Sequence, residues 1–352
     1  MSPATTRRRL LAAALAGGAA WLAGCTVRVV PPAEETAGGD EARHPAAAGA
    51  AGVRDGIAFV EADWLDAGRD RPVPVRLYLP EIAAPATPAP LVLFSHGLGG
   101  SRRGYGYLGS HFARSGMASL HVQHVGSDRA LWSGSPFDLA ARLQSAAQER
   151  EAVERVADLR FALDRMLALD AGDPLGLAID TSRIIVAGHS YGANTALLAS
   201  GARVERAGRL VDLRDPRLAA AILLSAPPFY GESALANVLR PVSLPTLHVT
   251  ATGDDIRIPG FYSPVGDRIA VFEATGSAQK VLAVFEGGSH SIFTDRPGTG
   301  GVDLNPRVKR ATQDLSAAFL ASVFDGRHDA LRTWPARHRE IVARFDRQPA
   351  LA

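Results

Sequence analysis

The apolar run Ile184-Ile185-Val186-Ala187 leads directly into Gly188-His189-Ser190-Tyr191-Gly192, and the helix-forming stretch Ala193-Asn194-Thr195-Ala196-Leu197-Leu198 follows without a break. A strand that passes through so short a turn into a helix commits the chain to a βα unit. The turn brings backbone too close for a Cβ, which is why glycine stands at both ends and why a serine at the apex holds its hydroxyl above the sheet. Ser190 is therefore the candidate nucleophile. The pentapeptide alone is a weak signal, and a bland reading exists in which Ser190 merely caps the helix that starts at Tyr191. Three further segments, in the chain order that this chemistry requires, give the chemical reading its weight.

The first is Leu91-Val92-Leu93-Phe94-Ser95-His96-Gly97-Leu98-Gly99-Gly100, an apolar strand running into a histidine-glycine loop. Acyl transfer places negative charge on a carbonyl oxygen, which two preorganised amides must meet. One is the N–H of Tyr191, after the nucleophile, and position in the loop assigns the other to Leu98. His96 itself is read as a buried histidine bonded to backbone. The second segment, Pro245 to Asp255, is a strand ending in Asp254-Asp255. A carboxylate there holds the imidazole tautomer, and counting along the strand from Thr246 favours Asp254 while leaving Asp255 open. The third, Val281-Leu282-Ala283-Val284-Phe285-Glu286-Gly287-Gly288-Ser289-His290, is a final strand and a glycine turn presenting His290, the candidate proton shuttle among ten histidines.

These motifs, with Pro74-Val75-Arg76-Leu77-Tyr78-Leu79-Pro80 ahead of them, resemble the α/β-hydrolase superfamily over roughly residues 55–325. Within it the chain is similar to the dienelactone-hydrolase-like branch, which includes platelet-activating-factor acetylhydrolase-like and cutinase-like polyester hydrolases. The resemblance implies a serine hydrolase cleaving carboxylic esters of small molecules through an acyl-enzyme, with a cutinase-like or lipid-esterase activity as the alternative. From another class, an inactive hydrolase fold used for binding in an envelope lipoprotein remains open. Two departures limit the transfer of substrate. The acetylhydrolases carry their acid after the sixth strand, where this chain has Ala219 to Leu224 followed by Ser225-Ala226-Pro227-Pro228, and dienelactone hydrolases use cysteine where this chain has Ser190. Ala193 also replaces a glycine common in relatives, a small change that still allows tight packing.

Strands alternating with helical patterns predict one α/β domain, a mostly parallel central sheet with helices on both faces, over residues 53–326. Strands are expected near 57–61, 73–79, 118–121 and 184–187. Val153, Val156, Leu159, Leu163 and Met166 mark a long amphipathic helix, and a last helix is expected over 307–323. Residues 327–352, with Leu331, Trp334, Ile341 and Phe345 among arginines, predict a helical extension.

Residues 1–25 read as an export signal, basic at Arg7-Arg8-Arg9 and apolar from Leu11 to Leu22, with twin-arginine and ordinary secretory export both open. Leu22-Ala23-Gly24-Cys25 resembles a lipobox, which makes Cys25 the expected lipid attachment point and membrane contact and places the protein in the bacterial cell envelope. As Cys25 is the only cysteine, no internal disulfide is available. Residues 26–52, rich in Ala, Pro, Gly and Glu, lack the apolar side chains to fold and read as a tether. A net charge of +2 without a basic, aromatic-laced patch gives no nucleic-acid surface. Oligomeric state is left open.

No cofactor or metal is expected. His121 and His124 look like ligands but lie three apart along a strand, hence on opposite faces. Tyr105, Tyr107, Trp132, Phe137, Phe229 and Tyr230 follow strand ends and predict an aromatic acyl pocket. Arg102 and Arg103 stand where an acidic substrate group could bind, although loop arginines are usually solvated. No long hydrophobic lid is visible.

Overall fold

In the computed structural model, the described residues are 48–349 without 82–86, 171, 174, 230, 232–233 and 259–260, all within the unit Asp40–Ala352. The export signal, Cys25 and most of the expected tether lie outside them, as does Tyr230. A ten-stranded sheet organises the chain. Its strands, numbered here in chain order, are β1 Ala48–Arg54, β2 Ile57–Asp66, β3 Arg71–Tyr78, β4 Ala89–Ser95, β5 Ala118–Val122, β6 Ile179–His189, β7 Leu218–Leu224, β8 Thr246–Gly253, β9 Lys280–Ser289 and β10 Val342–Gln348. The spatial order is β1-β2-β3-β5-β4-β6-β7-β8-β9-β10. The strands from β5 through β9 pair in parallel, while β1, β2, β3 and β10 join antiparallel.

Alternate side chains of the central strands feed two cores. Leu91, Leu93, Ile184, Val186, Ala221 and Leu223 face one, while Val92, Phe94, Ile185, Ala187, Ile222 and Leu224 face the other. A strand buried on both sides reads as a continuous apolar run, as these do. Helix α1 (Gly106–Arg114) packs Leu108 and Phe112 on the second face, after which α2 (Leu139–Ala146) precedes α3 (Glu149–Ala168). Helices α3 and α4 (Tyr191–Ala199) bury Val156, Leu159, Leu163, Met166, Ala196 and Leu197 on the first face. Short α5 (Leu235–Leu239) and α6 (Val265–Ala274) follow on that face, and α7 (Leu304–Asp325) returns to the second with Val308, Leu315 and Phe319. Helices therefore cover both faces, the α/β-hydrolase arrangement. Among the described residues no helix is long and apolar enough to cross a membrane.

Two expectations need correction. The expected tether runs to residue 52, but residues 48–54 are strand β1, paired antiparallel with β2 through Ala51↔Val60 and Val53↔Ala58. An edge strand is held by backbone hydrogen bonds and needs little apolar side chain, so composition does not reveal it. The extension 327–352 is not wholly helical. A short helix α8 (Asp329–Arg337) ends near Pro335, and the chain then adds β10 beside β9, with Phe345 opposite Ala283. Trp334 is sealed between them, its indole N–H on the Ala311 carbonyl at 2.9 Å and Phe345 5.4 Å from its ring.

Candidate active site

At the C-terminal end of β6 the chain turns through Ser190, whose φ of 55° and ψ of −121° are strained for any residue with a side chain. A Cβ on Gly192 would run into the Ser95 carbonyl, and one on Gly188 would run into the Gly192 carbonyl, so both glycines answer a real close approach. The Ser190 N–H donates to the Leu224 carbonyl of β7 at 2.9 Å. Its side chain does not cap α4. Instead Ser190 Oγ lies 2.8 Å from Nε2 of His290.

His290 sits just beyond β9, after Gly287 and Gly288 at φ 67° and 84°, a left-handed pair that turns the imidazole back over the sheet. Its Nδ1 stands 2.7 Å from Asp254 Oδ1, at the end of the neighbouring β8. A carboxylate only accepts, so Nδ1 carries the proton and Nε2 is left to accept from the Ser190 hydroxyl. Asp254 is fully buried, and its second oxygen accepts from Ser225 Oγ at 2.5 Å and Thr250 Oγ1 at 2.7 Å. Burial alone would raise this carboxyl, but the His290 hydrogen bond and charge, Arg268 and the Ser225 hydroxyl outweigh it and hold Asp254 well below the usual carboxylate range. Asp255 turns away to Arg257 at 3.0 Å. The structure thus brings Ser190, His290 and Asp254 together and leaves Asp255 outside.

The loop after β4 lies against α4. His96 is buried; its Nε2 accepts from the His124 N–H at 3.0 Å, so Nδ1 carries the proton and donates to the Gly97 carbonyl at 2.7 Å. The Gly100 N–H reaches the same carbonyl at 3.0 Å. Because C=O and N–H point oppositely across one trans peptide, fixing the Gly97 carbonyl fixes the Leu98 N–H. Among the described residues neither the Leu98 nor the Tyr191 amide donates to a protein acceptor. The Leu98 side chain packs with Leu131, Trp132, Leu139 and Leu143, from a segment between β5 and α3 that the sequence did not mark as a cap. Trp132 donates to the Gly99 carbonyl at 2.8 Å.

A hydrogen-bond chain with no signature in the sequence joins this loop to His290. The Gly97 N–H donates to Tyr105 Oη at 3.3 Å, the Tyr105 hydroxyl donates to His189 Nδ1 at 2.8 Å, and His189 Nε2 donates to the His290 carbonyl at 3.0 Å. Burial, with the neighbouring His290, lowers His189 to about 3 and keeps it neutral, as one donor and one acceptor require.

The expected aromatic pocket is largely not one. Tyr105 is buried with its hydroxyl engaged, Phe229 is in the core on the first face and Tyr107 packs against the core on the second, whereas Trp132 lies on the loop and Phe137 is 95% exposed. Arg102 and Arg103 are likewise committed elsewhere, ion-paired with Glu61 at 3.2 and 3.0 Å, so a substrate acid group would have to displace that carboxylate. His121 bonds the Gly104 carbonyl and His124 bonds Ser95 and Asp158, which occupies their ring nitrogens within the protein.

Sheet order, elbow and strand-end triplet together define the α/β-hydrolase fold. No family model matches the chain. It is similar to platelet-activating factor acetylhydrolase from Cavia porcellus, 24% identical over an alignment of 234 residues, with 58% of this chain and 48% of that one covered, so it spans about half the length of that relative. Among solved structures it is similar to ferulic acid esterase from Streptomyces cinnamoneus, with a TM-score of 0.56 and 24% identity over 80% of this chain and 92% of the other.

Proposed function

We propose that the chain hydrolyses carboxylic esters through an acyl-enzyme on Ser190. The observation that carries this reading is a serine held at φ 55° with its hydroxyl 2.8 Å from an imidazole whose other nitrogen is 2.7 Å from a buried carboxylate. Ser190 Oγ attacks the ester carbonyl as His290 Nε2 takes its proton, and the charge that develops on the carbonyl oxygen falls to the Leu98 and Tyr191 amides. Asp254 keeps the His290 tautomer and stabilises the imidazolium, which then protonates the leaving alkoxide. Water activated by the same imidazole releases the acid. The names of the two relatives, an acetylhydrolase and an esterase, support the reaction class. They name different esters, so the assignment stops at esters of modest size, with Trp132 as the aromatic beside the acyl group.

A serine-directed fluorophosphonate tests the reading. The intact protein should be labelled and Ser190→Ala should not, with kcat on p-nitrophenyl esters falling by about 10⁵–10⁶. Absence of labelling in the intact protein sinks the enzyme reading in favour of a binding protein. We further propose export and lipid anchoring at Cys25, supported by the Leu22-Ala23-Gly24-Cys25 sequence alone. Cys25→Ala should abolish incorporation of labelled palmitate and release the protein from membranes; retention with lipid still attached overturns the anchor.

A further inference from the structure

Beneath the loop that carries Leu98 lies a cation that acyl transfer by Ser190, His290 and Asp254 does not use. Arg155, in the middle of α3, is fully buried. Its Nε donates to Thr195 Oγ1 at 2.9 Å, its Nη1 to Ser127 Oγ at 2.8 Å, and its Nη2 both to Ser95 Oγ at 3.1 Å and to the His96 carbonyl. The guanidinium carbon stands 4.5 Å from the centroid of the Tyr191 ring. All of these acceptors are neutral. The nearby carboxylates are kept one or two groups away, Glu151 behind Ser127 at 2.8 Å and Asp158 behind His124, which accepts from Ser95 at 2.9 Å and donates to Asp158 at 3.0 Å. Burial lowers Arg155 to about 10, so it stays charged at neutral pH.

Ser95, His124 and Asp158 repeat the bond order of Ser190, His290 and Asp254, but all three are buried and Ser95 already accepts from Arg155. They form a relay between a cation and its distant counter-charge and have no access to substrate. Burying a guanidinium with no carboxylate directly on it is costly, and a neutral residue of similar volume would avoid the cost. What the charge gains in return is its location. Through Ser95 and the His96 carbonyl it grips the strand end that leads to Leu98. Through the Tyr191 ring and Thr195, whose hydroxyl donates to the Tyr191 carbonyl at 3.0 Å, it grips the first turn of α4.

We propose that Arg155 is a positioning residue for the oxyanion site, tying the two amide donors to one rigid fork and setting positive charge behind them, so that the tetrahedral adduct is favoured over the bound ester. This rests on the acyl-transfer reading above. A planar fork reaching separate acceptors while stacking on a ring is a task for arginine, which lysine performs only as a point charge.

The test uses the full-length protein in detergent, p-nitrophenyl butyrate as substrate and an aliphatic trifluoromethyl ketone, whose carbonyl takes up Ser190 Oγ while the serine proton passes to His290. In Arg155→Met, kcat should fall roughly ten- to hundredfold, less than the loss of an oxyanion donor itself, with KM nearly unchanged. Ketone affinity should weaken in parallel, and the ¹⁹F resonance of the hemiketal should show it holding its proton to higher pH than in the wild type. Arg155→Lys should fall between the two. If Arg155→Met folds and keeps wild-type kcat and hemiketal ionisation, with only its Tm lowered, Arg155 is packing and the proposal fails. Should Arg155→Met not fold, Ser95→Ala and Ser127→Ala each remove one acceptor of the fork at little change in volume. Several-fold losses of kcat at constant KM sustain the proposal, and wild-type kcat in both overturns it. Failure of the underlying reading shows separately, as a wild-type protein that neither forms the hemiketal nor takes the fluorophosphonate label.

Discussion

Asp254 and Asp255 are neighbours with opposite surroundings. Asp254 is sealed and accepts from an imidazole and two hydroxyls, while Asp255 reaches partly into solvent and pairs with an exposed arginine. Asn at 254 would keep the shape but present an amide, which no longer prefers the His290 tautomer that leaves Nε2 free to accept. Asp254→Asn should therefore lower kcat by about 10⁴. An exposed ion pair contributes little, so Asp255→Asn should stay within about threefold of the wild type. Steady-state rates of the two variants decide the matter, and the opposite ranking would reassign the acid. Sequence alone favoured Asp254 but left Asp255 open, because a single residue of slip at a strand end reverses the direction of a side chain. Ser190 and His290 were easier to read, since glycines bracket the one and precede the other, and each needs a turn that only small residues permit. Tyr105 and Arg155 left no such mark. Their importance comes from what lies across the fold from them, His189 for the first and Tyr191 for the second.

At the scale of elements, the strands that carry the site are legible because both faces are buried, which turns each into an apolar run. The elements that escaped prediction are those that satisfy backbone more than core. β1 is built of small residues, β10 alternates arginine and aspartate with Phe345, and the cap ahead of α3 consists of two short turns and α2. The elbow is the element on which the site depends most, and its glycines can be tested one at a time. A methyl group at Gly192 meets the Ser95 carbonyl, which belongs to the strand end leading to Leu98. Gly192→Ala should push that loop away, cost about 1–3 kcal/mol in denaturant unfolding and lower kcat at least tenfold. Gly266, in the first turn of α6, has nothing within 4 Å of an added Cβ and serves as the control. Gly266→Ala should leave activity intact and stabilise slightly through helix propensity. Equal behaviour of the two variants would mean that the elbow and the oxyanion loop are not in tight contact.

At the scale of the whole molecule, five imidazoles among the described residues are buried and held neutral, and this sets how the fold responds to acid. Burial lowers His121, His124, His189 and His248 to about 3, and holds His96 well below its ordinary value. In the unfolded chain each of these protonates as pH falls through about 6.5, whereas in the folded chain it stays neutral until far lower. The unfolded state therefore binds more protons throughout this window, so stability is fully present above about pH 6.5 and is lost progressively toward pH 3. Each such group shifts the folding equilibrium by up to about tenfold per pH unit. Asp158, which burial would raise but His124 and Arg71 bring down to about 2, and Asp254 add losses of the same sign below the ordinary carboxylate range. Glu151, raised by burial, works in the opposite direction, but one carboxyl does not offset several histidines. The midpoint of urea unfolding should drop steeply between pH 7 and pH 5. His248, which touches Thr246 and Phe272 and none of Ser190, His290 or Asp254, allows the cause to be isolated. His248→Phe should flatten the pH dependence by about one proton while leaving the pH profile of the proposed ester cleavage unchanged. A wild-type midpoint that is level from pH 7 to pH 5, or a His248→Phe slope equal to that of the wild type, would show that these histidines are not held neutral by the fold.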